Sequence, residues 1–188
     1  VLAETLNEPM SPTRIRGYFV GLADLPADRV CAAIRHALGH TAAFFPKPGD
    51  LREWVEGRPD DRAALAWTRF LRALAEVGTY QSVDFGDPAL HATVEALGGW
   101  HEAWRIERLD AKDQGFKRAE FCRLYGALEG RSATIGLGPK RLVGQHEIEN
   151  HRTGFGSQGA DLVRIGGDGR PVALPGREPA ALASGVSA

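Results

Sequence analysis

The chain of 188 residues has few cysteines and almost no net charge. Cys31 and Cys122 are far apart, and neither has a second thiol nearby in the sequence. This spacing does not indicate a zinc knuckle or a redox pair, and it fits two small apolar side chains in a reducing cytosol. The formal net charge of −1 argues against a strongly basic nucleic-acid-binding protein, but a local basic patch remains compatible with it.

Long hydrophobic runs are also missing. No stretch approaches the roughly 18 apolar residues that a membrane span needs. The first residues do not combine a charged region with an apolar run, as a signal peptide would. Val1 stands inside a helix-like pattern, so we expect that a few residues precede it. Together these features predict a cytoplasmic protein without a membrane partner.

Two motifs that could indicate an enzyme do not have the spacing or context that their chemistry needs. Residues 154–159 form a literal G-x-G-x-x-G, but no buried strand precedes it, as dinucleotide binding requires. His146 and His151 are five residues apart, whereas two zinc ligands on one helix face need a spacing of four. We therefore predict no cofactor and no metal.

A third cluster consists of Asp84, Asp87 and His91. We interpret Asp87 as the N-cap of a helix that starts at Pro88, and Asp84 as a turn residue that bonds its own backbone. His91 then falls in the first turn of that helix. This interpretation assigns no catalytic residue, and we predict that the protein is not an enzyme.

Helical patterns punctuated by glycine and proline fill the chain to about residue 130. Ser11-Pro12 is a typical helix start, because proline costs nothing at the first helical position. Residues 60–77 carry a wide apolar face, and Gly78 ends that helix. We predict an all-α domain over residues 1–130, a compact bundle of six or seven short helices around an aromatic core.

The first complete helix carries apolar residues at helical spacing, and we predict that they form one face. These residues are Ile15, Tyr18, Phe19 and Leu22.

After residue 130 the composition shifts towards glycine, and Phe155 is the one aromatic residue left. Residues 162–165 and 171–174 are patterned as a small β-hairpin around a glycine-rich turn. A hairpin of this size is marginal in water by itself. We predict that residues 131–188 form a flexible tail that holds at most this element.

The tail also contains an apolar pair beside charged residues, which is typical of a short recognition segment. The alternative is a tail that binds no partner. The predicted partner-binding residues are Arg141, Leu142, Val143, Glu147 and Phe155.

Basic residues recur on two of the predicted helices. They are typical of solvated helix faces, and the alternative is a surface for single-stranded nucleic acid, with aromatic residues nearby for stacking. The residues are Arg62, Arg69 and Arg72 on one helix and Lys112, Lys117, Arg118 and Arg123 on the other.

Two segments of the chain contain residues that resemble those of a known family. The first contains Tyr18-Phe19, Asp24-Leu25-Pro26, Phe44-Phe45-Pro46-Lys47-Pro48 and Asp50-Leu51-Arg52-Glu53. The second contains Ala66-Trp67, Gly78, Tyr80, Asp87-Pro88, His91 and Gly98-Gly99-Trp100. Together, over about residues 15–125, they resemble a family of small phage- and prophage-encoded helical proteins known mainly as a domain of unknown function.

The first segment is also similar to the helical N-terminal part of phage proteins that load or inhibit a replicative helicase. This resemblance implies a non-enzymatic accessory protein of phage DNA replication in the cytoplasm of a bacterial host. It implies a host or phage replicative helicase as the partner, engaged through a flexible C-terminal segment. No helicase-binding residue carries over. The alternative function is weak binding of single-stranded DNA by the basic helices.

Overall fold

A computed structural model describes residues 9–40, 45–135, 140–154 and 162–172. Most of these residues are helical, and the strands are two residues long, which confirms the predicted all-α bundle of short helices. Contacts divide the chain into two compact units, Val1–Arg62 and Ala63–Ala188. The sequence instead predicts a boundary at residue 130. Among the described residues, no helix combines the length and the apolarity that a membrane span requires.

In its described residues, 9–40 and 45–62, the first unit contains three helices and the start of a fourth. They are α1 (Pro12–Leu22), α2 (Ala27–His40), α3 (Pro48–Glu56) and the first residues of α4 (Pro59–Val77). Ser11 caps α1, because its side chain accepts a hydrogen bond from the Arg14 amide at 3.2 Å. The predicted Ser-Pro start is therefore confirmed.

The proline-rich segment before α3 packs against α1. The Tyr18 hydroxyl donates to the Pro46 carbonyl at 2.5 Å, and its ring meets the edge of the Phe45 ring with the centroids 5.6 Å apart. A Cβ atom on Gly21 would lie 3.0 Å from Pro48 Cβ, so the helix approaches this segment closely. Phe44, the other residue of the phenylalanine pair, lies outside the described residues.

Arg52 ties the end of α1 to α3. Its guanidinium donates to the Gly21 carbonyl at 3.0 Å, to both carboxylate oxygens of Asp24, and to Glu56 Oε1 at 3.1 Å. The hydrogen bond from Arg52 lowers the pKa of the Asp24 carboxyl group below its usual value. The same contact raises the pKa of Arg52.

The second unit surrounds an aromatic core. The Phe70 ring lies 5.6 Å from the Phe121 ring and 6.0 Å from the Trp100 ring, and Trp67 meets Phe121 at 5.1 Å. These side chains are buried, which confirms the predicted aromatic core. The helical elements of this unit are the rest of α4, α5 (Pro88–Ala96), a 3₁₀ turn (Trp100–Glu102), α6 (Trp104–Glu107), α7 (Ala111–Ile135) and α8 (Gln145–Thr153).

A very short parallel sheet joins the C-terminal residues to this core. Strand β1 (Val83–Asp84) pairs with β2 (Val163–Arg164). On its other side, Val83 exchanges hydrogen bonds with Leu142 at 2.8 and 2.9 Å. Leu142 and Ile165 are thereby buried in the core. These described parts of residues 131–188 are packed and do not behave as a free tail, because β1 supplies the backbone partners that they lack alone.

The predicted hairpin is present in reduced form. Ile165 pairs antiparallel with Pro171, and the Val172 amide donates to the Arg164 carbonyl at 2.8 Å. The turn between them is closed by the Gly166 amide, which donates to the Arg170 carbonyl at 2.8 Å. Residues 173 and 174, at the end of the predicted second arm, lie outside the described residues.

Arg69 of α4 holds this turn in place. Its guanidinium donates to the carbonyls of Gly166 at 2.8 Å, Ile165 at 3.1 Å and Phe85. The turn also touches the backbone of α4, since a Cβ atom on Gly169 would lie 2.7 Å from the Arg69 carbonyl oxygen. Gly169 has φ +85°, so no other residue fits this position without strain.

Replacing Arg69 with methionine should lower the free energy of unfolding by about 2–3 kcal/mol, because three carbonyls lose their charged donor while the apolar stem remains. Arg123→Met, at an exposed position on α7, is the matched control and should change it by less than about 0.5 kcal/mol. Urea unfolding followed by circular dichroism measures both. Equal effects of the two variants would contradict the role of Arg69.

The Asp24–Arg52 contact predicts a pH dependence. A folded-state pKa below the unfolded one adds stability that is present above the unfolded pKa of about 3.9 and is lost as the pH falls through the folded pKa. An NMR titration of the Asp24 carboxyl should show its midpoint below the usual value. In Arg52→Gln the midpoint should move up, whereas in Arg16→Gln it should stay. An unchanged midpoint in Arg52→Gln would be the contrary result.

Candidate interaction surfaces

The predicted partner-binding residues are mostly engaged inside the second unit. Leu142 is fully buried in the core, and Glu147 is only 3% exposed. Val143 is half-buried, Arg141 is exposed, and Phe155 lies outside the described residues. The structure therefore brings the first four close together, but Leu142 and Glu147 face the core and not solvent.

Glu147 is the centre of a buried polar network. Its Oε2 accepts a hydrogen bond from the Ser82 hydroxyl at 2.7 Å, and Arg141 donates to its Oε1. Ser82 Oγ in turn accepts from the Gly144 amide at 3.0 Å. A buried carboxylate is tolerated only when charge and hydrogen bonds compensate for the lost water. Glu147 thus holds α8 to the segment before β1.

The N-terminus of α8 makes the same connection through its backbone. The amides of Gln145 and His146 donate to the carbonyls of Thr79 and Tyr80, both at 3.0 Å. A Cβ atom on Gly144 would lie 2.4 Å from the carbonyl carbon of residue 81, so only glycine permits this approach. The segment with the two spaced histidines is therefore a helix that is docked on the residues before β1.

The cluster of Asp84, Asp87 and His91 organises the start of α5. Asp87 caps the helix by accepting from two backbone amides at 3.0 and 3.1 Å, as predicted. Asp84 accepts from the Gly86 amide at 2.7 Å, which confirms the predicted turn. His91 is buried, and its Nε2 accepts from the Phe85 amide at 2.9 Å. Each of these side chains has a structural role.

Metal ligation has no candidate in the ranges that the structure describes. No three His, Cys, Asp or Glu side chains lie close enough there to share an ion.

A cleft of about 350 Å³ opens beside α5 and α7, and we call it the α5–α7 cleft. Sequence analysis missed it, because its walls come from elements that meet only in the fold. The break at Gly98-Gly99 is the one local signal that the chain turns sharply there. The lining residues are Val94, Leu97, Gly98, Gly99, Glu102, Ala103, Arg105, Ile106, Leu109 and Lys117.

A second surface feature is apolar and lies on α1. Ile15, Phe19 and Val20 are 52%, 73% and 71% exposed. Of the four residues predicted to share one face, Tyr18 and Leu22 are half-buried, whereas Ile15 and Phe19 face solvent. Helical spacing shows that residues share a face, but it does not show which face is covered.

The two predicted basic faces are only partly free to contact a nucleic acid, because several of their side chains make internal contacts. In α4, Arg62 donates to the Gly57 carbonyl at 2.6 Å and Arg72 to the Asp168 carbonyl at 2.9 Å, in addition to the internal role of Arg69. In α7, Lys117 pairs with Glu120 at 2.9 Å. The other residues of the predicted basic face on that helix are exposed, namely Lys112, Arg118 and Arg123.

A different aromatic and basic group lies on α6 and just after it. The guanidinium carbons of Arg105 and Arg108 lie 5.5 and 4.8 Å from the Trp104 ring centroid. The Trp104 ring is partly exposed. An aromatic face combined with two cations can stack on a base and contact a phosphate.

Glu147→Ala should lower the free energy of unfolding by about 2–4 kcal/mol, because it leaves the buried Ser82 hydroxyl without its acceptor and removes the partner of Arg141. Glu149→Ala, on the exposed side of α8, should change it by less than about 0.5 kcal/mol. Chemical denaturation of both variants gives the comparison. A Glu147→Ala protein as stable as the control would exclude this network as a major stabilising contact.

Residues 83–170 match the model of a protein family described as a domain of unknown function, DUF6475. The matched region contains β1, α5 to α8, β2 and the whole α5–α7 cleft. No curated protein and no solved structure matches the chain.

Proposed function

We propose that this chain is a non-enzymatic accessory protein of phage or prophage DNA replication, which binds a replicative helicase as a loader or an inhibitor. The observation that supports the proposal most is the exposed apolar surface on α1, formed by Ile15 and Phe19, which are four residues apart and therefore neighbours on the helix. It lies in the segment that resembles the loader and inhibitor proteins.

The α1 surface has the properties of a protein-binding face. Large apolar side chains that cluster on a surface are a known mark of interaction sites. The helix beneath is held from its other side by Tyr18 on Pro46 and by Arg52 on the Gly21 carbonyl. A helix supported in this way presents its apolar residues with little loss of conformational entropy, and it suits binding in a groove.

The charges on α1 restrict the partner further. Within Pro12–Leu22 the charged residues are Arg14 and Arg16, and both are basic. The Arg14 guanidinium lies over the Phe45 ring, and its central carbon is 4.7 Å from the ring centroid. Arg16 is exposed beside the apolar surface. The complementary site on the helicase would be an apolar groove with an acidic rim.

This proposal moves the contact away from the C-terminal segment that the resemblance implies. Leu142 and Ile165 belong to the core, so a chain ending at residue 130 would lose part of that core. A truncation there would test folding and partner binding at the same time. Point changes on α1 avoid this problem, because none of its residues is buried.

Phe19→Asp should weaken helicase binding by at least about tenfold, since it places a charge where an apolar side chain would be buried. Thr13→Asp adds the same charge at an exposed position of α1 and should leave binding unchanged. Both are measured by co-purification with the host replicative helicase, followed by titration. Retention of the helicase by Phe19→Asp, or failure of the unaltered chain to bind it, would refute the proposal.

Single-strand binding is the second candidate, and the Trp104–Arg108 contact is the observation that favours it. Affinity that depends on phosphate contacts falls steeply with salt. In the same series of variants, the affinity for single-stranded DNA should not change in Phe19→Asp. The two candidates are thereby distinguishable with the same proteins.

A further inference from the structure

We propose that His91 and residues 84–86 form a pH-sensitive switch, in which protonation of the buried imidazole transfers it from the Phe85 amide to the Asp84 carboxylate. The transfer loosens the attachment of β2 and of the turn that follows it. The switch lies in the second unit and does not depend on the proposed function, whose contact surface is on α1.

The imidazole of His91 is a hydrogen-bond acceptor in the structure. The side chain is only 2% exposed, and its Nε2 accepts from the Phe85 amide at 2.9 Å. A backbone amide is always a donor, so Nε2 must carry a lone pair and the ring proton must be on Nδ1. This arrangement belongs to neutral histidine, because both ring nitrogens are donors in the protonated form.

Protonation of Nε2 places two donors against each other, and the buried Phe85 amide then loses its acceptor at a cost in free energy. The Asp84 carboxylate is the nearby alternative for the ring, since its Oδ1 lies 3.6 Å from Nε2. This oxygen already accepts from the Gly86 amide at 2.7 Å, but a carboxylate oxygen has a second lone pair for the imidazolium. The ring therefore has one partner for each protonation state.

The charges on β1 and α4 act on the imidazole in opposite directions. The Asp84 carboxylate favours the protonated ring. Arg69 of α4 disfavours it, because its guanidinium carbon lies 5.5 Å from the centroid of the Phe85 ring, which in turn lies 6.0 Å from the imidazole. The positive end of α5 also disfavours a cation in the first turn of that helix.

The ionisable groups on α5 and α7 are directed elsewhere. Asp87 accepts from two amides of the first turn of α5 and from the Tyr125 hydroxyl of α7 at 3.0 Å. Glu95, four residues after His91, is exposed. Asp84 is thus the carboxylate that is placed to receive the protonated ring.

The residues of the switch also hold the C-terminal segment. The Asp84 carbonyl accepts from the Ile165 amide at 2.8 Å, and Arg69 donates to the carbonyls of Phe85 and Ile165. A movement of the Phe85 amide away from the imidazole therefore acts on the peptide units that bind β2 and its turn. Acidification should open this contact before the rest of the second unit opens.

Hydrogen exchange of the full chain, followed by NMR, tests the switch. The samples span about pH 8 to about pH 5.5, where histidine normally changes its charge, and each rate is corrected for the intrinsic effect of pH. The protection of the Ile165 amide should fall about tenfold on acidification, as expected for the loss of one net hydrogen bond. The Leu142 amide, bonded to the Val83 carbonyl on the other side of β1, should keep its protection.

The nitrogen resonances of the His91 ring report the cause in the same samples. They should show the proton on Nδ1 at the upper end of the pH range. Both nitrogens should be protonated at the pH where the protection of Ile165 falls.

Two pairs of variants assign the effect to the ring and to its carboxylate. His91→Gln keeps an acceptor but does not titrate, so the fall at Ile165 should disappear, whereas His146→Gln should preserve it. Asp84→Asn removes the acceptor of the protonated ring and should also keep Ile165 protected. Asp61→Asn, at an exposed position of α4, is the matched control and should leave the tenfold fall in place.

Circular dichroism confirms that the variants are folded. If His91→Gln unfolds, the comparison of Ile165 with Leu142 in the unaltered chain and in Asp84→Asn decides the case. Equal changes of the two amides, a proton on Nε2 at the upper end of the pH range, or an unchanged fall in Asp84→Asn would overturn the proposal.

Discussion

The structure of the second unit depends on the backbone hydrogen bonds of one short strand. Val83 is completely buried, and its amide and carbonyl are both paired with Leu142. On the other side, Ser82 and Asp84 accept hydrogen bonds from Val163 and Ile165 at 2.9 and 2.8 Å. A buried backbone group without a partner costs as much as a lost hydrogen bond. Strand β1 therefore needs both C-terminal segments, and each of them needs β1.

Two long polar side chains extend this constraint from the strand to the helices around it. Arg69 reaches from α4 to the carbonyls of the turn after β2, and Glu147 connects α8 with Ser82. Both side chains make their contacts inside the unit, although charged residues usually lie on the surface. Exposed apolar side chains are found elsewhere, on α1, where Ile15 and Phe19 face solvent.

The sequence predicted local structure where one residue type has a dominant physical role. Asp87 forms the cap that an aspartate before proline favours, and Gly78 takes the positive φ of a helix end. The spacing of Trp67 and Phe70 indicated a buried helix face, and both are in the core. Leu142 was predicted to belong to a recognition segment but is buried, because an isolated apolar pair in a glycine-rich stretch has no periodicity that shows its burial.

Composition and periodicity by themselves determined the helical class and the main helix ends, since these follow from interactions between residues close in sequence, and they indicated which aromatic residues lie on apolar helix faces. Only the tertiary structure decided which charged residues are internal, which face of α1 is exposed, and where the cleft lies. The internal charges arise from contacts between residues 60 or more positions apart, as for Ser82 with Glu147 and Arg69 with Gly166. The face of α1 that is covered depends on contacts 28 and 31 positions apart, Tyr18 with Pro46 and Arg52 with Gly21. No local pattern encodes such contacts, because the partner that satisfies a charge or covers an apolar face is chosen by packing.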